Sequence, residues 1–253
     1  PDFFDMLRQL QRERRDFCIL LRTMGVECYT FLNTMEALFE QRPAWLGDLQ
    51  PIRINKSVGQ LRRQSNDDTI RLEWDGVVYD TEEDVYAKLC SLEGINAVMD
   101  DYGHWDQNNF VCYAAKPLWV NLSDRQHQHV LFDDMIRLDQ VDYCIANIRL
   151  LDGGKYSSVA FECSIVQPNL LHLLNPLLRQ DSTKSYYYDR IQKAERLYDM
   201  LLKNEHTIRI VRGGQDAEQN ACGRIRLDGG LSKEQKLSIE QSERRVSKIC
   251  VIL

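Results

Sequence analysis

Short apolar runs constrain the fold of this chain more than any other feature. Each run has the length of a β-strand, consists mostly of apolar side chains and is followed by polar residues or a turn; the runs are Phe17–Leu21, His129–Phe132, Tyr143–Ile148 and Phe161–Val166. Strands of this kind are buried on both faces, as in a parallel sheet. Amphipathic helical patterns over 26–40 and 186–202 alternate with them. The alternation predicts an α/β protein with a Rossmann-like open parallel sheet and flanking helices.

Composition excludes several classes of protein. The chain has 253 residues, of which 43% are hydrophobic and 28% charged, and its formal net charge is −6. No apolar run approaches the roughly 18 residues that a membrane-spanning helix needs. The negative balance disfavours a nucleic acid partner, because binding to a phosphate backbone depends on Lys and Arg. The eight cysteines include no C-x-x-C pair, which is typical of reduced, buried thiols in a cytosolic protein.

Polar side chains follow two of the apolar runs directly. Thr23 comes after the first run, and Asp133 with Asp134 comes after the second. Ligands of open parallel sheets bind at the carboxyl ends of the strands. Two adjacent carboxylates there repel each other unless a cation such as Mg²⁺ binds them, although a solvated turn or a helix N-cap is the alternative. A threonine hydroxyl can hydrogen-bond a phosphoryl oxygen, and Lys116, just before the short apolar run 118–120, can offset its charge.

In their order along the chain, these residues resemble motifs II, III and IV of the haloacid-dehalogenase-like (HAD) hydrolases. The segments that carry the resemblance are 17–25 (FCILLRTMG), Asp101-Tyr102 with Trp105 and Asn108, Lys116-Pro117-Leu118, 129–136 (HVLFDDMI) and 145–149 (IANIR). The resemblance covers about residues 15–205 and is closest to poorly characterised eukaryotic members. It implies that Thr23 binds the transferring phosphoryl group and that Lys116 balances its charge. It also implies that Asp133 and Asp134 hold Mg²⁺.

The resemblance further implies a division of the chain. Residues 1–64 and 114–205 would form the α/β core, and 65–113 would form an inserted α+β cap that closes over a small phosphorylated substrate. The segment 206–253 is rich in glycine and charge, which predicts a polar flexible tail. The sequence predicts neither the identity of the substrate nor the oligomeric state.

One motif of the family is missing. Motif I is a strand ending in Asp-x-Asp-x-Thr/Val, whose first aspartate forms an aspartyl-phosphate, and this sequence contains no such string. Motif I precedes motif II in the family, so we expect it upstream of Pro1, and the absence of an initial Met favours a truncated chain. The expected function is a Mg²⁺-dependent phosphomonoester hydrolase whose nucleophile strand is absent here. The alternative is a catalytically inactive binding or scaffold protein.

The segment Cys250–Leu253 (CVIL) fits the C-a-a-X pattern for prenylation of its cysteine. A modest basic patch precedes it, formed by Arg244, Arg245 and Lys248. An end that is hydrophobic by chance is the alternative. The sequence thus predicts a cytoplasmic protein, with peripheral membrane contact through Cys250 as a further expectation.

His127 and His129 form an H-x-H pair at the start of the second apolar run. Two residues apart on an extended segment, they face the same side and could ligate a metal. The neighbouring sequence offers no convincing third ligand, so a structural or solvated role is favoured.

Overall fold

The computed structural model describes residues 2–63, 69–121, 123–136, 145–152, 155–160, 165–166, 185–203, 223–224 and 248–253. Its helices are α1 (Asp2–Arg12), α2 (Glu27–Gln41), α3 (Glu82–Ser91), α4 (Tyr102–Gln107) and α5 (Tyr186–Lys203). Its strands are β1 (Asp16–Thr23), β2 (Ile54–Arg63), β3 (Ile70–Trp74), β4 (Val77–Tyr79), β5 (Gly94–Met99), β6 (Lys116–Asn121), β7 (His127–Phe132), β8 (Ala146–Asp152), β9 (Lys155–Ala160), β10 (Ile165–Val166), β11 (Gly223–Arg224) and β12 (Lys248–Ile252).

The main sheet has eight strands in the order β10-β7-β12-β1-β5-β2-β3-β4. Neighbouring strands are parallel from β10 to β2, and β3 with β4 adds an antiparallel hairpin at one edge. A second sheet has the order β11-β9-β8-β6. The predicted α/β class, with an open and largely parallel sheet flanked by helices, is confirmed.

The central strands of the main sheet are buried on both faces. In β1, Cys18 and Leu20 face one hydrophobic cluster, while Ile19 between them faces another. Helices α1 and α2 and the first part of α5 supply the second cluster. Helices α3 and α4 and strand β6 supply the first. This explains why β1 reads as a continuous apolar run rather than an alternating one.

Strand β12 corrects the prediction of a flexible tail over 206–253. Residues 248–252 pair in parallel with both β1 and β7, so they form a central strand. Ile249, Cys250, Val251 and Ile252 are all buried. Residues 249–252 are a short apolar run, like the other core strands. The C-a-a-X interpretation explained the same apolar residues as a prenylation signal. The two-residue strand β11 (Gly223–Arg224) is also described, and the rest of 206–247 lies outside the described residues.

The segment 65–113 is not a separate cap. Its strand β5 lies inside the main sheet between β1 and β2, and β3 with β4 continues the same sheet beyond β2. Within it, the sequence predicts a hairpin from Asp75-Gly76, a two-residue turn signal, and a helix start from the capping pattern Thr81-Glu-Glu-Asp84. Both are present: β3 pairs with β4, and the Thr81 hydroxyl accepts a hydrogen bond from the backbone N–H of Asp84 (3.1 Å). The local predictions were therefore correct, and their assignment to an insertion was wrong.

Several predicted elements lie partly beyond the described residues. Strand β8 begins at Ala146, and residues 143–144 of the predicted run are outside the described ranges. The same holds for 161–164 of the predicted fourth strand, of which β10 is described. The helix predicted over 186–202 is α5. Among the helices described, none is long and apolar enough to cross a bilayer.

Candidate functional site

The carboxyl ends of β1, β12 and β7 lie side by side. We call this side of the main sheet, where its parallel strands end, the carboxyl edge. The three strands are parallel neighbours, so Thr23, Leu253 and Asp133 emerge along that edge. The backbone N–H of Arg22 donates to the carbonyl of Leu253 at 2.7 Å, and the N–H of Asp100 donates to the carbonyl of Thr23 at 2.8 Å. These bonds fix the ends of the strands relative to one another.

Lys116 and Asp133 form an ion pair at the carboxyl edge. The Lys116 Nζ lies 2.8 Å from Oδ2 of Asp133, and it also donates to the carbonyl of Arg22 at 3.0 Å. The two side chains are only 6% and 8% exposed. The first residue of β6, in the second sheet, thus reaches the residue just before Thr23. The structure thus brings Lys116 and Asp133 into contact, beside the residue that precedes Thr23.

Thr23 is already engaged in hydrogen bonds. Its hydroxyl accepts from the backbone N–H of Gly25 at 3.0 Å and donates to Oε2 of Glu27 at 2.9 Å. Glu27 is exposed, and its pKa is lowered first by its own backbone N–H and then by the Thr23 hydroxyl. An anion at Thr23 would therefore have to take the hydroxyl from a negatively charged carboxylate.

Asp133 and Asp134 differ in their surroundings. Asp133 accepts from the backbone N–H of Met135 through Oδ1 (2.9 Å) in addition to its ion pair, while Asp134 is exposed. Carboxylate oxygens suit Mg²⁺, and those of Asp133 each keep a further lone pair beside the two contacts described, so these residue types fit this ion. The charge of Asp133 is nevertheless balanced by Lys116. The repulsion that led the sequence to predict a cation is therefore relieved in part without one.

A buried ion pair between Arg22 and Asp100 stabilises the carboxyl edge. The Arg22 Nε donates to Oδ2 of Asp100 at 3.0 Å, its Nη2 contacts the other carboxylate oxygen, and its Nη1 donates to the carbonyl of Pro117. The pair ties β1 to the end of β5 and to the residue after Lys116. The sequence analysis missed it, although an arginine next to an apolar strand run is a signal for a buried partner.

The opposite edge of the sheet, where β7 and β12 begin, carries a second polar group. We call it the amino-edge cluster: Cys90, Asp124, His127 and His129. Asp124 Oδ2 is 2.9 Å from Nδ1 of His127, and His129 Nε2 is 3.5 Å from Sγ of Cys90. Burial lowers the pKa of His129 to about 3, so its imidazole is neutral at pH 7. The H-x-H pair does have partners of ligand type: Asp124, three residues before His127, and Cys90, which is distant in sequence.

Cys250 lies in the middle of β12, opposite Cys18 in β1 and His129 in β7. It is 4% exposed, and the neighbouring Cys18 and burial raise the pKa of its thiol. A prenyltransferase must reach the thiol of its substrate, which here would require β12 to leave the sheet. The observed position of Cys250 is therefore at odds with its predicted role as a lipidation site.

Comparison with known proteins adds no independent evidence. No family model, no curated protein and no solved structure matches this chain. Membership of the HAD-like hydrolases therefore stays a prediction that rests on the motif residues quoted above.

Proposed function

We propose that the carboxyl edge is a phosphoryl-binding site of the phosphomonoester hydrolase type found in HAD-like proteins. The observation that best supports this proposal is the ion pair between Lys116 and Asp133. It lies beside the end of β1, whose last residue is Thr23. The proposal needs a hydroxyl, a cation and a carboxylate in one region, and it is supported by Lys116, which contacts both Asp133 and the carbonyl of Arg22, the residue before Thr23. A small phosphorylated molecule is the proposed substrate class.

Each residue of the site has a separate task in this proposal. The Thr23 hydroxyl turns from Glu27 and donates to a phosphoryl oxygen, while the ammonium of Lys116 offsets negative charge on the same group. Because Lys116 is almost buried, its charge acts in surroundings less polarisable than water, where it is more effective. Asp133 and Asp134 would hold Mg²⁺, which supplies further positive charge to the phosphoryl oxygens.

A second candidate is binding of a phosphorylated molecule without turnover. The sequence contains no Asp-x-Asp-x-Thr/Val string. Covalent catalysis through an aspartyl-phosphate, in the manner of HAD-like hydrolases, would need the first aspartate of that motif.

Both candidates require that the site binds phosphate. Calorimetric titration of the full chain with inorganic phosphate in the presence of Mg²⁺ tests this. Thr23→Val removes one hydrogen bond to a charged group, for which we expect roughly tenfold weaker binding. Thr34→Val is the matched control, because the Thr34 hydroxyl bonds only within α2, to the carbonyl of Thr30. Equal phosphate affinity of the wild type and Thr23→Val would contradict the site.

Turnover of an aryl phosphate separates the two candidates. Hydrolysis that requires Mg²⁺ and is lost in Asp133→Asn supports the hydrolase. Phosphate binding without hydrolysis supports the binding protein. Hydrolysis that persists in Asp133→Asn and in the presence of EDTA would overturn the assignment of Asp133.

A further inference from the structure

The amino-edge cluster has the geometry of a metal site. One ligand atom each from Cys90, Asp124 and His127 lies within 4.8 Å of the others. Bonds from Zn²⁺ to sulfur, nitrogen and oxygen are about 2.0–2.3 Å long, so small rotations bring three such atoms around one ion. The three residues come from different places: the last turn of α3, the turn before β7 and the first residue of β7.

The chemistry of the ligands selects the kind of ion. A thiol and an imidazole together favour Zn²⁺ over Mg²⁺ or Ca²⁺, which prefer oxygen ligands only. Tyr86 donates a hydrogen bond from its hydroxyl to Oδ2 of Asp124 at 2.9 Å. Metal-bound carboxylates usually have such a second contact, which orients them.

His129 lies next to the cysteine of this group. It is 4% exposed, and its Nε2 lies 3.5 Å from Sγ of Cys90. The contacts described join its ring nitrogens to Cys90 and not to Asp124 or His127, so its place is beside the sulfur ligand.

The same residue types could instead form a cysteine nucleophile activated by a histidine and an aspartate. Nucleophilic cysteines are thiolates in electropositive, accessible surroundings. Cys90 is only 8% exposed, so its sulfur lacks the access that a nucleophile needs. Lys248 lies close by, but its Nζ donates to the backbone carbonyl of Cys90 at 2.8 Å. The surroundings favour coordination, in which the ion itself displaces the thiol proton, over nucleophilic attack.

We propose that Cys90, Asp124 and His127 bind Zn²⁺ at the edge of the sheet opposite the phosphoryl site, with His129 next to the sulfur of Cys90. The site would join α3, the turn after β6 and the start of β7, all of which contact the region where Lys248 begins β12. Its role is structural: the ion would hold this edge together. The proposal does not depend on the proposed hydrolase function, because the two sites share no residue.

Cobalt substitution tests the proposal on the full chain. The protein is freed of metal with a chelator and titrated with Co²⁺ in excess Mg²⁺, which occupies sites made only of oxygen. The expected result is a near-ultraviolet thiolate-to-cobalt absorption band, with displacement of Co²⁺ by Zn²⁺ at one ion per chain. His127→Gln should weaken binding at least about tenfold, because even the loss of an outer contact has an effect of that size. Cys90→Ser should abolish the band.

Two controls make the outcome decisive. Cys28→Ser changes another buried cysteine, in α2, and should leave the band and the zinc affinity unchanged. His127 is partly exposed, so the His127→Gln variant should stay folded, which circular dichroism checks. This variant therefore tests the site even if Cys90→Ser does not fold. Absence of the band from the wild type would overturn the proposal. So would wild-type affinity for Zn²⁺ in a folded His127→Gln.

Discussion

The ion pair between Lys116 and Asp133 shows how strongly single residues at the carboxyl edge depend on one another. Both side chains are almost buried, so neither charge is well solvated if its partner is removed. The residue types at this edge could be predicted from the sequence, because Thr23 and Asp133 follow apolar strands. Lys116 was predicted for the same site, but the sequence did not show that its ammonium pairs with Asp133 or that the Thr23 hydroxyl donates to Glu27.

Lys116→Met should destabilise the protein by about 3–5 kcal/mol, because Asp133 would remain as an unpaired, nearly buried charge. Urea unfolding followed by circular dichroism measures this. The double variant Lys116→Met/Asp133→Asn should recover most of the loss. Additive effects of the two single substitutions would show that the pair contributes little.

Glu27→Gln should strengthen phosphate binding at Thr23 by roughly twofold, since a charge exposed to solvent has only a small effect. The substitution removes a negative charge and keeps an oxygen that can accept from Thr23. Calorimetry with inorganic phosphate measures the change. Glu40→Gln, also on an exposed position of α2, should have no effect.

At the scale of elements, turns and helix starts were predictable, and one core strand was not. The Asp75-Gly76 hairpin and the start of α3 at Thr81 follow from short-range patterns. Strand β5 was missed because Asn96 interrupts its apolar run. In the fold, Asn96 is buried and donates from Nδ2 to the carbonyl of Glu93 at 3.0 Å, so the polar group is satisfied inside the core.

Gly94→Ala should destabilise the protein by about 2–4 kcal/mol, through left-handed backbone strain and a steric clash together. Gly94 has φ +71°, and an added Cβ would lie 2.2 Å from the carbonyl oxygen of Arg53. Gly76→Ala is the control. It has φ +75° and open space around the position, so only about 1–2 kcal/mol is expected. Equal losses in thermal or urea unfolding would contradict the close approach at Gly94.

At the scale of the whole molecule, the parallel sheet was predictable and its strand order was not. Each core strand carries a local apolar signal, but nothing local shows that β12 lies between β1 and β7. The sequence analysis expected the missing first strand upstream of Pro1. In the structure, residues 248–252 pair with both β1, which ends at Thr23, and β7, which precedes Asp133. Pairing between such distant segments is a property of the folded chain as a whole.

Ile249→Ala should cost about 2–5 kcal/mol, because the side chain is fully buried in the centre of the sheet. Leu253→Ala is the control, since Leu253 follows the strand and is partly exposed, and a smaller loss is expected. Chemical denaturation measures both. If Ile249→Ala unfolded like the wild type, β12 would not be part of the stable sheet.

Labelling in cells with a geranylgeranyl analogue should not differ between the wild type and Cys250→Ser. The reason is that Cys250 is enclosed between β1 and β7. Labelling that requires Cys250 would show that β12 is available to a modifying enzyme, contrary to its place in the sheet.

The position of β12 also bears on how fast the protein folds. Residue 16 pairs with residue 248, and 248 in turn pairs with 127, so the centre of the sheet depends on contacts of very large sequence separation. Loop-closure entropy opposes such contacts, and chains dominated by them fold slowly. Within the described part of the sheet, β1 and β7 are joined only through β12. We therefore expect the group β1-β5-β2 and the pair β7-β10 to gain structure earlier, and their union to be a slow, late step of folding.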